Sequence, residues 1–438
     1  MISVSEAFKT AVKASSAEFS AYIDDNEGNE ITNADDLKNW TIKANGYMFQ
    51  TILREATAVY WGDVSLKGKH VNLGFGVKLA DTSIETVDMG TFYVTDEVED
   101  KDTEQVTATM YDKMYEALKS YALFDVEYPM TLKQYVEAIC TELGWTLGTA
   151  TFLNDDVVVS ADLFALQGLT YRDVLEQVAE LTCTMIYFNN DDELVLAPLG
   201  SSSVETLNTS LLKKLDTEAN FGAVNSVVLA RTPVEQDFVY DGGYESPPIL
   251  LESGDTLLSE DGQDLLLEIL VEIDGLYQIR FENNMFTDAD PDTYLPSLST
   301  ALTGLTFTPF EVKTIFLGYL ELGDKVTLVD RNSVSYTSYI CEIELKVGDE
   351  IKEIIRTQVP EKSRTNYKKS AGVITNTMKK TELDGDRNIK DETITSAKIK
   401  ELTADKIKTG ALQVGTEITI PDDDGNVLIY IANVEVEE

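Results

Sequence analysis

Residues 71–79 read VNLGFGVKL, and residues 86–97 read TVDMGTFYVTDE. In the first run Val71, Leu73, Phe75, Val77 and Leu79 alternate with Asn72, Gly74, Gly76 and Lys78. A period of two puts one set on a core face and the other on the opposite face of a sheet. Working outward, FSAYI at 19–23, NWTIK at 39–43, the run 58–60 and VTATMYD at 106–112 have the same character. Short runs rich in Val, Tyr, Phe and Thr, set between Gly, Asn and Asp clusters, predict antiparallel strands. A short helix capped by Ser5, with Phe8 and Val12 on one face, precedes them. Residues 1–115 are therefore expected to form a β-barrel or sandwich.

Two capped helices follow. In TLKQYVEAICTELG, Thr131 and Gln134 have capping-box spacing. Leu132, Tyr135, Val136, Ile139 and Leu143 form one stripe, and Gly144 can stop the helix in the left-handed conformation. In TYRDVLEQVAEL, Thr170 is the cap and Val174, Leu175, Val178 and Leu181 face inward. A hairpin at 184–197, turning at NNDDE, completes an α+β insertion over 116–200. Residues 201–360 read as a second β-rich domain, with strands at 223–231, 307–316, 325–330 and 336–347 and a short helix at 294–305. Small acidic hairpins are expected at 248–268, where Ser253-Gly254-Asp255 and Asp261-Gly262 separate leucine pairs.

Residues 361–438 differ. A polar linker leads to an eight-residue repeat, ITSAKIKE at 394–401 and LTADKIKT at 402–409. Its apolar positions Ile394, Ile399, Leu402 and Ile407 are spaced by five, three and five, unlike a coiled coil. One copy buries too little to stand alone. Identical copies around a rotation axis supply the missing partner, and these four residues are the candidate trimer-axis contacts. A single amphipathic helix docked on the rest of the chain is the other reading. Residues 417–431 read as a hairpin turning at DDDGN.

The 438 residues carry 35 Lys and Arg against 77 Asp and Glu, a net charge of −42. Residues 1–360 hold 62 acids and 23 bases, residues 361–408 hold 8 and 12, and residues 409–438 hold 7 acids and no base. That shift marks a boundary near 360. Attraction to a phosphate backbone is disfavoured. The charge serves solubility, or keeps DNA from sticking to the wall of a conduit. No run is long and apolar enough to span a membrane, and no signal peptide is expected.

Catalytic patterns are missing. The single histidine, His70, has no nucleophile with an orienting acid nearby in sequence. Cys140, Cys183 and Cys341 are widely spaced in apolar segments and read as core residues. The glycines at 68, 74 and 76 do not open a helix, so no phosphate loop is expected. The acidic turns do not follow the calcium-loop pattern. No enzyme activity, cofactor or metal is expected.

Four stretches, in order, resemble the baseplate-hub or tail-associated family of long-tailed phages. These are 48–79 followed by MGTFYVTDEVEDKDTEQVTATMYDKM at 89–114, which ends its strands at Asp112; 170–199; 317–351, with the turn Leu322-Gly323-Asp324-Lys325-Val326; and the 394–409 repeat. The resemblance implies two β-barrel tube-type domains per subunit and a homotrimer of six similar modules at the tail tip. It further implies contacts with the distal tail ring and the tape-measure protein, receptor-binding or fibre proteins near the C-terminus, and passage of DNA without specific binding. Family members often carry a C-terminal lytic or sugar-binding domain, for which this chain has no room, so a connector role is expected. A receptor-binding or fibre-type protein is the alternative, and a cell-wall-degrading tail enzyme a more distant one.

Overall fold

The computed structural model of the chain describes residues 1–25, 36–61, 64–160, 169–230, 238–240, 277–282, 284, 286, 294–357, 366–369, 417–421 and 427–432. Two compact units emerge, Met1–Leu383 and Asp384–Glu438.

The first unit opens with α1 (Glu6–Val12), whose N-terminus is capped by the Ser5 hydroxyl accepting from the Phe8 N–H. Strands β1 (Phe19–Asp25), β2 (Leu37–Ala44), β3 (Arg54–Trp61), β4 (His70–Lys78), β5 (Ile84–Asp100) and β6 (Gln105–Tyr111) follow. They lie in the order β1-β4-β5-β6-β3-β2, all antiparallel. The alternation in 71–79 has the expected consequence: Val71, Leu73, Phe75 and Val77 are fully buried. Trp40 of β2 crosses this core, and its indole N–H donates to the Gly74 carbonyl at 2.9 Å. Strand β1, at one end of this order, also makes contacts with β2 at the other.

In the insertion, α2 (Leu132–Leu143) and α3 (Tyr171–Thr182) both carry complete capping boxes, Thr131 with Gln134 and Thr170 with Asp173. Gly144 closes α2 at φ 71°, as expected; Cys183 closes α3 in the same left-handed region. The hairpin is β7 (Thr184–Phe188) and β8 (Glu193–Pro198).

The next strands are β9 (Ser203–Leu207), β10 (Leu212–Thr217), β11 (Ser226–Ala230), β12 (Phe238–Tyr240) and β13 (Gln278–Glu282). After α4 (Leu295–Leu302) come β14 (Phe310–Thr314), β15 (Lys325–Val329), β16 (Ser335–Tyr339), β17 (Glu342–Gly348), β18 (Lys352–Thr357) and β19 (Asn366–Lys369). Strands β17-β18-β14-β10 extend the first group, so one ten-stranded sheet runs β1-β4-β5-β6-β3-β2-β17-β18-β14-β10. Smaller sheets run β9-β15-β16 and β12-β11-β13-β19, the β7–β8 hairpin pairs with Thr146–Leu147, and Met130–Thr131 pairs with Val158–Val159, giving a β-rich α+β fold.

One expected strand, 336–347, is two. At Ile340 the backbone leaves β15: its carbonyl accepts from Gly323 and its N–H donates to Asp324. Cys341 then donates to Arg356, starting a ladder in the large sheet. A period-two pattern continues through such a change of partner, so the sequence gives no break. Strands 203–207, 212–217 and 352–357 were not expected either; the exposed, lysine-bearing β10 has little apolar alternation. The three cysteines are buried and free, matching the core reading. His70 is exposed at the start of β4. The acidic 248–268 segment lies outside the described residues.

In the second unit β20 (Glu417–Pro421) and β21 (Val427–Ala432) pair antiparallel, the expected hairpin.

Candidate assembly site

The ladder between β2 and β17 welds residues near the start of the chain to residues some 300 positions later. It runs from Asn39 opposite Gly348 to Ala44 opposite Ile343. Trp40, Ile42 and Ala44 meet Val347, Leu345 and Ile343 on the buried face. On the polar face Lys43 lies opposite Glu344, which also accepts from Lys352 at 2.5 Å. Burial pulls the Glu344 carboxyl upward, yet the Lys352 hydrogen bond and the charges of Lys352 and Lys43 hold it below its ordinary value. Arg356 bridges Glu311 and Glu342 on the same face. Cross-strand pairs of opposite charge fix a register as well as stabilising it. Gly348 ends the seam at φ 136°, with the Lys38 carbonyl only 2.2 Å from where a β-carbon would stand. Only glycine fits there.

The β7–β8 hairpin is wedged where the two strand groups meet. Arg54, on β3, is buried and donates from Nε to Asp112 at 3.0 Å. Its Nη1 reaches the Met89 carbonyl at 2.9 Å and Asn190 Oδ1 at 3.3 Å, and its Nη2 the Asn189 carbonyl at 3.4 Å. Arg54 thus pins the hairpin turn to the first strand group. Around it, Thr91 donates to Asp192 through both N–H and hydroxyl, and Thr51 does the same to Glu176 of α3. On the other side the Tyr187 hydroxyl donates to the Leu322 carbonyl at 3.3 Å, and Gly200 N–H to the Gly323 carbonyl at 2.9 Å. The Leu322–Val326 turn that carried part of the family resemblance is therefore the docking point for the insertion.

Burial pushes the Asp112 carboxyl up to about 6, against the pull of Arg54 and of the Arg54 and Met114 backbone. A carboxyl with a raised folded pKa binds its proton more tightly in the folded chain than in the unfolded one. Stability from this group is greatest at low pH and falls as pH rises from about 4, the ordinary aspartate value, to about 6. Asp112→Asn should flatten that part of the stability–pH curve, read by urea titrations at pH 4, 5, 6 and 7. An unchanged slope would remove Asp112 from the titration.

A second buried acid shapes the other half of the junction. Glu353 on β18 is 1% exposed. It accepts from the Thr314 hydroxyl at 2.5 Å and from the N–H groups of Leu317 and Gly318 at 2.7 and 3.3 Å. Burial raises its pKa, against those three donors. It holds the 315–320 loop so that Phe316 packs on Phe19 and Phe75, and Tyr319 on Phe8. Both buried acids thus tie sequence-distant segments together.

Ile394, Ile399, Leu402 and Ile407, the residues singled out from sequence, lie outside the described residues. Sequence reasoning missed the Arg54–Asp112 pin and Glu353, because single acids do not stand out among 77. Among the described residues no group of three His, Cys, Asp or Glu side chains could hold a metal, and no helix is long and apolar enough to cross a membrane.

No family model and no curated protein matches the sequence. Solved structures do. The tail protein from Neisseria meningitidis MC58 aligns at a TM-score of 0.50 and 11% identity, over 80% of this chain and 99% of that one. The 43 kDa tail protein of prophage MuSo2 from Shewanella oneidensis gives 0.47 and 11%, over 78% and 98%. The prophage tail protein gp18 from Listeria monocytogenes EGD-e gives 0.41 and 13%, over 77% and 94%. The family resemblance read from the sequence and the likeness found by structure point the same way: this chain shares the fold of a tail protein across almost all of that protein's length.

Proposed function

We propose that the chain is a structural subunit of a phage tail, the hub at its distal end, and that it works as a homotrimer. The observation that carries this reading is the β2–β17 seam. Two strand groups from opposite halves of the chain continue one another edge to edge, so one subunit supplies two neighbouring β segments of a larger ring. Three copies then supply six. The insertion braces each pair from one side and sets the angle between them. The fold likeness to a tail protein supports the same role.

In this account the ring caps the tail tube, meets the distal tail ring and the tape-measure protein, and opens for DNA. Receptor-binding or fibre proteins attach through the C-terminal segment. Ile394, Ile399, Leu402 and Ile407 pack around the threefold axis. The protein resides in the virion at the tail tip after assembly in the host cytoplasm, and its role is mechanical, not catalytic. The net charge of −39 over residues 1–360 keeps DNA from adhering during passage. Near the seam the polar face of the sheet has no acidic excess: Lys43, Lys313, Lys346, Lys352 and Arg356 stand with Glu55, Glu311, Glu342 and Glu344. Repulsion of DNA therefore comes from the summed field of the particle, not from an acidic patch at this seam.

Electron microscopy of the purified full chain tests this. Averages viewed down the axis should show six lobes around it, repeating every third of a turn. Particles with only one or two lobes would overturn it.

A further inference from the structure

The register of β4, β5 and β6 assembles a row of aromatic rings on the polar face. His70 is the cross-strand partner of Tyr93, and Tyr93 of Tyr111. The His70 and Tyr93 ring centroids are 5.1 Å apart. Tyr111 stacks on Tyr115 at 5.2 Å, with ring planes only 13° apart. His70 and Tyr115 are exposed, and Tyr93 and Tyr111 half-buried. An open cleft of about 410 Å³ runs along this row, lined by His70, Thr91, Tyr93, Lys113, Tyr115 and Lys119, with Leu118 and the acids Asp112 and Glu116 also on its wall. That volume lies in the range of small-molecule sites.

Cross-strand aromatic pairs stabilise sheets by themselves. Three further features need more than that. The row ends on rings that stay exposed to solvent. It borders a cleft and not a packed neighbour. It also concentrates two lysines and the chain's only histidine in a protein with more than twice as many acids as bases. Both lysines make long contacts: Lys113 donates to the Asp192 carbonyl at 3.4 Å and stands 3.9 Å from its carboxylate, and Lys119 pairs with Glu116 at 3.5 Å. Each can turn toward a ligand at little cost. The nearby Asp112 carboxyl is buried and engaged by Arg54.

We infer that this cleft binds an acidic saccharide. The C–H face of a sugar ring covers Tyr93 and Tyr115. The Thr91 hydroxyl, itself donating to Asp192, accepts from one of its hydroxyls, His70 exchanges hydrogen bonds with another, and Lys113 and Lys119 take its carboxylate or phosphate. Aromatic rings with lysines also suit single-stranded nucleic acid. A long phosphodiester strand, however, would approach a chain of net charge −42 against a repulsive field, whereas a saccharide with a few anionic groups meets much less of it. This reading does not depend on the trimer, since every residue named lies in one subunit.

The test is retention of the full chain on an array of neutral and acidic oligosaccharides, with a single-stranded oligonucleotide on the same surface. Acidic glycans should retain the wild type. Tyr115→Ala should weaken retention about tenfold, and Lys113→Ala together with Lys119→Ala should abolish the preference for acidic over neutral glycans. Both changes sit at solvent-accessible positions, and an unchanged thermal melt would confirm that the fold is intact. Retention of no glycan, retention insensitive to Tyr115→Ala, or retention of the oligonucleotide alone would each overturn the inference.

Discussion

Replacing Arg54 by alanine is expected to remove about 3–5 kcal/mol of stability, because it leaves the Asp112 carboxylate buried without its cation. The loss has further parts. The carbonyls of Met89 and Asn189 and the Asn190 side chain lose a shared donor. The β7–β8 turn loses the pin that joins it to β3. The effect should therefore be local as well as global, with the 184–198 hairpin opening to protease before the rest of the chain unfolds. Replacing both partners, Arg54→Met with Asp112→Leu, should recover much of the stability, since no charge is then stranded. Guanidinium unfolding of the three proteins is the measurement. If Arg54→Ala falls within about 1 kcal/mol of wild type, in the range of an ordinary surface pair, the junction is not organised around this residue.

The second large effect concerns assembly. Changing Ile394, Ile399, Leu402 and Ile407 together to serine should weaken association by about 100-fold or more. Each aliphatic side chain contributes roughly 1.5–3 kcal/mol when fully buried, and a factor of 100 needs only about 2.8 kcal/mol. Unit Met1–Leu383 should keep its fold, because the four positions lie outside it. The concentration at which the variant dissociates, compared with wild type by sedimentation, reads the effect directly. An unshifted dissociation point would leave these residues without an axial role and favour the single docked helix.

Much of the local structure was legible in the sequence. Alternation at 71–79 fixes a strand and its buried face with no further information. The Thr131–Gln134 and Thr170–Asp173 spacings give both helix starts to the residue, because a capping box is a contact between positions three apart. The joints were not legible. Lys43 meets Glu344 across 301 positions, and Arg54 meets Asp112 across 58, so nothing local marks either pair. The aromatic row is hidden for the same reason. Positions 70, 93 and 111 become neighbours only through strand register, and a one-residue slip would send one set of rings to the opposite face. Ile340 shows the converse, a strand pattern that runs on while the backbone changes partners beneath it.

Native mass spectrometry of the intact chain tests the account most directly. One subunit is held to bring two joined β segments to a ring of six, so the dominant species should weigh three times the 48.6 kDa of a single chain. A persistent monomer, or an assembly of two or four copies, would contradict it.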